Sequence, residues 1–424
     1  MRDDALLNRS ASDLPAACDV LVVGAGPAGS AAACSLARAG FDVVLIDQHA
    51  FPRDKVCGDG LIPDAHRALQ RLGVHDEVMA LAQPVQHVRC IGPRGKHIDV
   101  PGTLAVLPRR QLDLLLARAA AQAGARMFAP LRFMAPIEDA QGTVIGARLR
   151  AAGEDNAPAQ HEIRARWVLL ASGAVPQALL AAGLCERRTP SAVALRGYVK
   201  NDAMVGRITE LEVLWHQSIR PGYGWIFPCR DGVFNIGVGV AQSHSQGRGG
   251  AGTMQDVNLR DVFAAFTEAH PPARELMAGG TLQGELKGAP LRCSLEGARW
   301  SRPGLLATGE ATGSTYALTG EGIGKALETG LLAADALIDG RRDGLDDAAV
   351  RERYESSIRA LKPRFAIYEK ANSVNQHPWL VDLLVWSANR SASRLKRMSG
   401  VLEETHAPRN LITAGSLLRL VFER

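Results

Sequence analysis

Three glycines near the start of the chain have the spacing of a site that holds a diphosphate. They follow the pattern G-x-G-x-x-G and are Gly24, Gly26 and Gly29. The apolar run 20–23 before them is typical of a buried parallel strand, and residues 30–39 after them are typical of a helix. Glycines at this spacing allow a tight turn and a close approach of the backbone to a pyrophosphate, which the helix N-terminus then faces.

Asp47 extends this pattern. It ends a second apolar run, 43–46, and lies 23 residues beyond Gly24. In dinucleotide-binding folds, a carboxylate at about this distance accepts the hydroxyl groups of a ribose. Strand, glycine turn, helix and carboxylate together predict a dinucleotide-binding unit. A second fingerprint of this kind does not occur in the sequence, which favours a single, tightly bound dinucleotide.

Composition and charge indicate a sizeable globular enzyme and exclude several other classes. The chain has 424 residues and a formal net charge of +5 without a long block of like charges, so a nucleic-acid partner is not expected. Its seven cysteines are scattered and lack C-x-x-C spacing, which predicts neither disulfides nor a metal site and favours a reducing cytoplasm. No apolar stretch reaches the length of a membrane span or a signal-peptide core, so we expect a cytoplasmic protein without a transmembrane segment.

The order of the predicted elements indicates an α/β fold with an inserted sheet. Residues 109–124 have helical periodicity and end in glycine, whereas 167–170 and 305–308 are typical of short buried strands. Between these strands, residues 190–240 have the pattern of several strands and no helical period. We expect a Rossmann-like nucleotide-binding domain assembled from separated segments, a mostly antiparallel inserted sheet and a C-terminal helical segment.

Four motifs make the chain resemble the geranylgeranyl reductase family of flavoproteins, within the larger group that shares the p-hydroxybenzoate hydroxylase fold. They are the glycine fingerprint, the segment FPRDKVCGDG at 51–60, Arg109-x-x-Leu112-Asp113, and Gly309-Glu310-Ala311 followed by Thr319-Gly320-Glu321-Gly322-Ile323. The second motif is the most specific. The resemblance implies non-covalently bound FAD in a domain made of segments 18–80, 105–188 and 295–340. The substrate-binding sheet domain would comprise 81–104 and 189–294, and the C-terminal helical region 341–424.

The resemblance also implies which residues contact FAD. Asp47 would bind the adenosine ribose, and Arg109 would lie near the phosphates or the ribityl chain. Glu310, in place of the family's usual aspartate, would accept a ribityl hydroxyl. A helix over 319–337 would direct its N-terminus at the flavin pyrimidine edge and favour the anion of the reduced ring. The full set implied at the cofactor is Gly24, Ala25, Gly26, Gly29, Asp47, Arg53, Cys57, Gly58, Arg109, Gly309, Glu310, Gly320, Gly322 and Ile323.

Residues 221–228, PGYGWIFP, resemble the Y-x-W-x-F-P strand that lines the family's substrate cavity. With the period of two of a strand, Tyr223, Trp225 and Phe227 share one face and form either a flat apolar wall for an isoprenoid or an indole, or a core stripe. By the same resemblance, Cys57 lies near the flavin ring, where its thiol either donates a proton or packs as a small hydrophobe. The predicted catalytic residues are Cys57, Tyr223 and Trp225.

The expected activity is that of an FAD-dependent oxidoreductase that acts on a small apolar or aromatic substrate. Two reactions stay open: reduction of a carbon–carbon double bond, and hydroxylation with O2 by a flavoprotein monooxygenase. NAD(P)H is a candidate electron donor. The alternatives are a monooxygenase that modifies a tryptophan of a protein or peptide in quinone-cofactor maturation, a flavin-dependent halogenase, and a non-catalytic flavin scaffold, since Ser172 and Glu310 depart from the family pattern.

Two apolar segments near the end of the chain have a second interpretation. Residues 379–386 and 411–422 combine apolar and polar residues. They predict either core or lid helices or a peripheral contact with a membrane surface or a partner protein.

Overall fold

The computed structural model describes residues 4–151, 161–241 and 257–404. Within these residues the strands are β1 (Ala17–Val23), β2 (Val43–Ile46), β3 (Gly60–Leu61), β4 (Gln83–Ile91), β5 (His97–Val106), β6 (Arg126–Phe128), β7 (Leu131–Glu138), β8 (Val144–Ala151), β9 (His161–Leu170), β10 (Ala192–Lys200), β11 (Leu211–Leu214), β12 (Gly222–Pro228), β13 (Val233–Ala241), β14 (Thr281–Leu291), β15 (Ser301–Arg302) and β16 (Leu305–Ala307). The α-helices are α1 (Asp4–Leu7), α2 (Pro27–Arg38), α3 (Pro63–Leu72), α4 (His75–Leu81), α5 (Arg109–Gln122), α6 (Gln177–Ala181), α7 (Leu259–Ala269), α8 (Pro271–Gly279), α9 (Ile323–Arg342), α10 (Asp347–Ala371), α11 (Ser373–Gln376), α12 (Trp379–Ala388) and α13 (Ala392–Leu402). The predicted apolar segment 411–422 lies outside the described residues.

The first sheet is built around β1, which pairs in parallel with β2 on one side and with β9 on the other. Its strand order is β15-β16-β9-β1-β2-β6, and the hairpin of β7 and β8 joins it through an antiparallel pairing of β8 with β9. Apolar side chains of α2, α5 and α9 cover one face, and those of β7, β8 and α6 cover the other. Because both faces are covered, the apolar run of β1 is continuous rather than alternating. The Rossmann-like domain is confirmed.

Four parallel strands of this sheet end at the same edge. The glycine turn follows β1, Asp47 follows β2, Ser172 follows β9 and Gly309 follows β16. In open α/β sheets, ligands bind at the carboxyl ends of the strands. The topology therefore brings four distant segments of the chain to one ligand-binding edge.

The second sheet is mostly antiparallel, as the sequence predicted. Its order is β14-β10-β13-β12-β11-β4-β5-β3, with a parallel pairing between β11 and β4. Helices α7 and α8 cover one face, where a Cβ on Gly224 would lie 2.2 Å from the ring of Phe266. Tyr223, the neighbour of Gly224 on β12, therefore projects from the opposite face.

The C-terminal helices cover that opposite face. Val381 and Val385 of α12 pack against Ile98 and Val100 of β5 and against Trp215. Helix α10 packs against α9. Among the described helices, none combines the length and the apolar character needed to cross a bilayer.

The limits of two predicted helices were wrong. Helix α2 begins at Pro27 rather than at residue 30, because proline is well suited to the first turn of a helix. Helix α9 begins at Ile323 rather than at residue 319 and continues to Arg342. Gly320 has a φ of +70°, a left-handed conformation that belongs to a turn, so the helix starts only after Gly322. Helices α7 and α8 and the β14 strand were not predicted.

Candidate flavin and substrate site

The first glycine turn is so tight that two of its positions exclude a side chain. Gly24 has a φ of +102°, and a Cβ there would lie 2.4 Å from the carbonyl oxygen of Ala171. A Cβ on Gly29 would lie 1.8 Å from the carbonyl oxygen of Gly24. Gly26 is the N-cap of α2 and no side chain caps it, so the first amide groups of the helix are available to an anion.

Two arginines converge on the same point. A Cβ on Gly26 would lie 3.7 Å from Arg109 Nη2 and 3.8 Å from Arg53 Nη2. Both guanidinium groups are held by Asp113, whose carboxylate lies 2.7 Å from Arg109 Nε and 2.9 Å from Arg53 Nη1. The side chain of Asp113 is fully buried. An uncapped helix N-terminus flanked by two fixed guanidinium groups suits a diphosphate.

Asp47 lies beside this turn. Its Oδ2 accepts a hydrogen bond of 3.0 Å from the backbone N–H of Ala25 and another of 3.1 Å from Arg53 Nη2. Its Oδ1 accepts from the backbone N–H of His49 at 3.0 Å. The carboxylate thus connects the end of β2 to the glycine turn, at the position predicted for ribose binding.

The loop with the C-G-D-G motif is fixed by Asp59. The side chain of this residue is buried, and its Oδ2 accepts from Tyr198 Oη at 2.5 Å and from Asn235 Nδ2 at 2.7 Å. Its Oδ1 accepts from the backbone N–H of Arg109 at 3.2 Å. Burial raises the pKa of Asp59 to about 6. The loop therefore depends for its position on the second sheet and on the start of α5.

Arg196 of β10 holds the same loop from another direction. It is buried and donates to the carbonyl oxygen of Lys55 at 2.8 Å, to that of Cys57 at 3.3 Å and to Asp54 Oδ1 at 2.9 Å.

Burial raises the pKa of the Cys57 thiol, which is protonated at neutral pH. Sequence reasoning missed these loop-holding residues, because they have no local motif: Arg196, Tyr198 and Asn235.

The three aromatic side chains predicted on one face of β12 lie side by side, and we call them the aromatic wall: Tyr223, Trp225 and Phe227. The ring centroids of Tyr223 and Trp225 are 6.1 Å apart, and those of Trp225 and Phe227 are 6.4 Å apart. Trp225 Nε1 donates to Asn235 Oδ1 at 2.9 Å. A Cβ on Gly58 would lie 3.2 Å from the ring of Phe227, so the C-G-D-G loop contacts this wall.

The later glycine motifs close the other side of the site. Gly309 donates its N–H to Thr329 Oγ1 of α9 at 3.0 Å, and a Cβ there would lie 2.7 Å from Ala28 of α2. Glu310 Oε1 accepts from Thr315 Oγ1 at 3.3 Å, and a Cβ on Gly322 would lie 2.7 Å from the same hydroxyl.

The turn before α9 touches the aromatic wall. Tyr223 Oη donates to the carbonyl oxygen of Thr319, and a Cβ on Gly320 would lie 2.6 Å from that hydroxyl. Glu321, in the middle of this turn, belongs to the segment Gly320-Glu321-Gly322-Ile323 but was not predicted to be a site residue. Burial, with the carboxylates of Asp64 and Glu404 nearby, raises the pKa of Glu321 to about 8.

These segments line one cavity of about 1440 Å³. The predicted site residues that line it are Gly24, Gly26, Asp47, Arg53, Cys57, Gly58, Arg109, Tyr223, Trp225, Gly309, Glu310, Gly320, Gly322 and Ile323. Ala25 and Gly29 are buried beneath the turn and do not line it. Ser172 also lines the cavity, and its buried hydroxyl has no hydrogen-bond partner among the described residues. Ligand pockets usually have volumes of roughly 300–1000 Å³, so this cavity has room for a cofactor and a substrate together.

The chain is similar to known FAD-binding proteins and reductases. A family model described as an FAD binding domain matches residues 17–232. A menaquinone reductase of Mycolicibacterium smegmatis is 33% identical over 339 residues, which cover 76% of each chain. A digeranylgeranylglycerophospholipid reductase of Methanopyrus kandleri is 30% identical over 343 residues, covering 80% of this chain and 81% of that one.

Two solved structures share the fold. A geranylgeranyl bacteriochlorophyll reductase-like protein of Thermoplasma acidophilum has a TM-score of 0.74 at 23% identity, with 96% of each chain covered. A flavin-dependent brominase has the same TM-score at 18% identity, with 96% of this chain and 98% of that one covered. The fold alone therefore does not separate reduction from halogenation.

The uncapped helix, the two guanidinium groups and the tight glycine turn fit the diphosphate of FAD. The fold, this cradle and the matched family together define an FAD-dependent oxidoreductase. The chain belongs to the geranylgeranyl reductase family.

Proposed function

We propose that this protein reduces a carbon–carbon double bond of a long, apolar, isoprenoid-type substrate. The observation that carries the proposal is the shape of the cavity. Beyond the residues predicted at FAD, the same cavity continues between the second sheet and the C-terminal helices. Apolar side chains line this chamber: Val88, Val100, Trp215, Val381, Val385, Met398 and Leu402. A polyprenyl chain matches such a lining better than a polar metabolite does.

The relatives support a lipid rather than a peptide. Both sequence relatives are named as reductases, and one of them is named for a digeranylgeranylglycerophospholipid. We therefore transfer reduction of an isoprenoid lipid to this chain as the proposed activity.

The residues of the chain divide into those that would hold the cofactor and those that would orient the substrate. Arg53, Arg109 and the N-terminus of α2 would bind the diphosphate, and Asp47 the ribose. When bound and reduced, FAD supplies a hydride, and we propose NAD(P)H as the donor that reduces it. The aromatic wall of Tyr223 and Trp225 would orient an alkene and exclude water.

Saturation of a double bond also requires one proton. Cys57 is our candidate donor, because this residue lines the cavity and its thiol, with a pKa raised by burial, stays protonated at neutral pH. Its position is fixed because the side chains of Arg196 and Asn235 donate hydrogen bonds to the backbone carbonyl oxygen of Cys57.

The test is mass spectrometry of a polyprenyl lipid incubated with the protein and NAD(P)H. Parallel samples are kept anaerobic or supplied with labelled oxygen. We expect a gain of two hydrogens per reduced bond in both samples. A product that carries labelled oxygen would show hydroxylation instead. A flavin that no donor bleaches would indicate a non-catalytic flavin-binding scaffold. Added bromide and chloride test halogenation in the same assay.

A further inference from the structure

Helix α12 is apolar on two opposite faces. Its inner face contributes Val381 and Val385, which are buried and line the cavity. Its outer face carries Trp379 and Trp386, with 55% and 41% of their surfaces exposed. Positions seven apart in a helix share a face, so the two tryptophans form one stripe that points away from the cavity. Core packing explains the inner face but leaves the outer one unexplained.

Basic side chains occur just after α12 and on α13, which packs against α12. The guanidinium carbon of Arg390 lies 4.2 Å from the ring centroid of Trp386. Lys396 and Arg397 on α13 are exposed. In the sequence from 376 to 402, Asp382 is the acidic residue, and it faces Arg94 at 3.7 Å.

The turn between β4 and β5 extends the same surface. Its residues Arg94 and Lys96 are exposed. The turn is joined to α12 by the ion pair of Arg94 with Asp382 and by a hydrogen bond of 3.2 Å from Asn389 to the carbonyl oxygen of His97. We call the combined surface the cover face; it consists of Arg94, Lys96, Trp379, Trp386, Arg390, Lys396 and Arg397.

We propose that the cover face binds the surface of an anionic lipid bilayer, with Trp379 and Trp386 inserted at the level of the headgroups. Tryptophan suits this boundary because one part of its ring system is apolar and its N–H is polar. Arg94 is paired with Asp382, and the other four basic side chains complement anionic headgroups, each contributing about a fivefold gain in binding. An excess of positive charge beside exposed tryptophans favours a bilayer over a protein surface of mixed charge.

The position of the cover face connects it to the cavity. Leu384 of α12 and Met398 and Leu402 of α13 line the cavity from the inside of the same two helices. A single helical layer thus separates the proposed bilayer contact from the apolar chamber. Entry of a lipid substrate past this layer rests on the proposed function, whereas the docking itself does not.

Sedimentation with vesicles tests the docking without turnover. We expect the FAD-loaded full-length protein to pellet with phosphatidylglycerol vesicles. The fraction that pellets with phosphatidylcholine vesicles should be lower by a factor of about ten or more, and high salt should release the bound protein. The proposal would be overturned if the same amount of protein pelleted with both lipids, or if none pelleted with either. The second result would indicate that the cover face binds a protein partner.

Two variants of the cover face should lose this binding. We expect about a tenfold or greater loss for Lys396→Glu/Arg397→Glu and for Trp379→Ala/Trp386→Ala. The matched charge control is Arg260→Glu/Arg274→Glu, since both arginines are exposed on α7 and α8 at the other face of the second sheet. The control for lost apolar surface is Val205→Ala, at a side chain that is 58% exposed. Controls that weaken binding as much as the cover-face variants would refute the assignment.

A turnover assay separates the docking from the proposed reaction. The cover-face variants should reduce a polyprenyl lipid presented in vesicles about tenfold more slowly than the unmodified protein, and the same lipid dispersed in detergent at an unchanged rate. Vesicle binding without reduction of any polyprenyl lipid would keep the docking and reject the proposed function. Equal loss of rate in vesicles and in detergent would reject the role of the cover face in substrate delivery.

Discussion

Asn235 donates a hydrogen bond of 2.8 Å to the backbone carbonyl oxygen of Cys57, although 178 positions separate the two residues. The same amide group bonds Asp59 and Trp225. One buried side chain of β13 thus joins the C-G-D-G loop to the aromatic wall. The place of Cys57 in the cavity depends on this long-range contact.

We expect Asn235→Ala to lower the free energy of unfolding by about 2–3 kcal/mol, because it leaves the buried groups of Asp59 and Trp225 without this partner. Urea denaturation measures the change. The control is Asn389→Ala, which removes a single exposed hydrogen bond and should cost less than about 0.5 kcal/mol. Similar losses in the two variants would mean that the amide does not organise the loop.

Gly24→Ala should abolish retention of FAD. The new Cβ would collide with the carbonyl oxygen of Ala171, and a residue with a φ of +102° is strained whatever its surroundings. Gly73→Ala is the matched control, because Gly73 also has a positive φ but a Cβ there would have no neighbouring atom within 4 Å. The flavin absorbance of the purified proteins reports the result. A Gly24→Ala protein that stays yellow would contradict the cradle.

Glu321 should make the protein less stable as pH rises. Its folded pKa of about 8 lies above the ordinary value of 4.5, so the folded state keeps a proton that the unfolded state has released. The free energy of unfolding therefore falls as the pH rises through the range between these two pKa values. From pH 6.5 to 8.5 it should fall by up to about 2 kcal/mol. Asp59 and Asp64, each with a pKa raised to about 6, act mainly below this window.

Glu321→Gln removes the titrating group and should flatten the decline between pH 6.5 and 8.5. Urea denaturation at several pH values gives the slope for each protein. An unchanged slope in the variant would show that Glu321 is ionised throughout this range.

Lys325→Ala should destabilise the protein by about 3–5 kcal/mol. The side chain of Lys325 is 1% exposed and its Nζ lies 2.6 Å from Glu328, 2.9 Å from Glu404 and 3.3 Å from Asp64. Its removal leaves the buried carboxylate of Asp64 without this cation, whereas Glu404 keeps its ion pair with Arg364. Arg342→Ala serves as control, because exposed ion pairs contribute less than about 1 kcal/mol. Thermal unfolding of both variants measures the difference, and equal melting temperatures would contradict the prediction.

Cys57→Ala should slow reduction of the double bond about 100-fold if the thiol donates the proton. Bleaching of the flavin by NAD(P)H should be unchanged, because that step needs no proton from Cys57. Cys57→Ser keeps a donor and should be slowed less. Rates that do not change in either variant would assign Cys57 a packing role only.

Several features of the site could be predicted because they depend on neighbouring residues. The strand, the glycine turn and Asp47 lie within about thirty positions, and the turn is defined by steric exclusion at Gly24 and Gly29. The period of two placed Tyr223, Trp225 and Phe227 on one face without knowledge of what that face contacts. The predicted start of α9 was wrong, because the left-handed conformation of Gly320 becomes evident only from the backbone angles.

The sequence by itself determined a dinucleotide cradle, an inserted sheet and an aromatic stripe, since local sterics and periodicity specify each of them. Only the tertiary structure decided that Asp113 holds both Arg53 and Arg109, and that Asn235 positions the Cys57 loop. Likewise, the sequence shows that residues 379–386 are apolar, but only the tertiary structure shows which face of this helix is exposed to solvent. Burial and hydrogen bonding between distant segments arise only when the sheets and helices pack together, because each group's environment is supplied by residues far away in the chain.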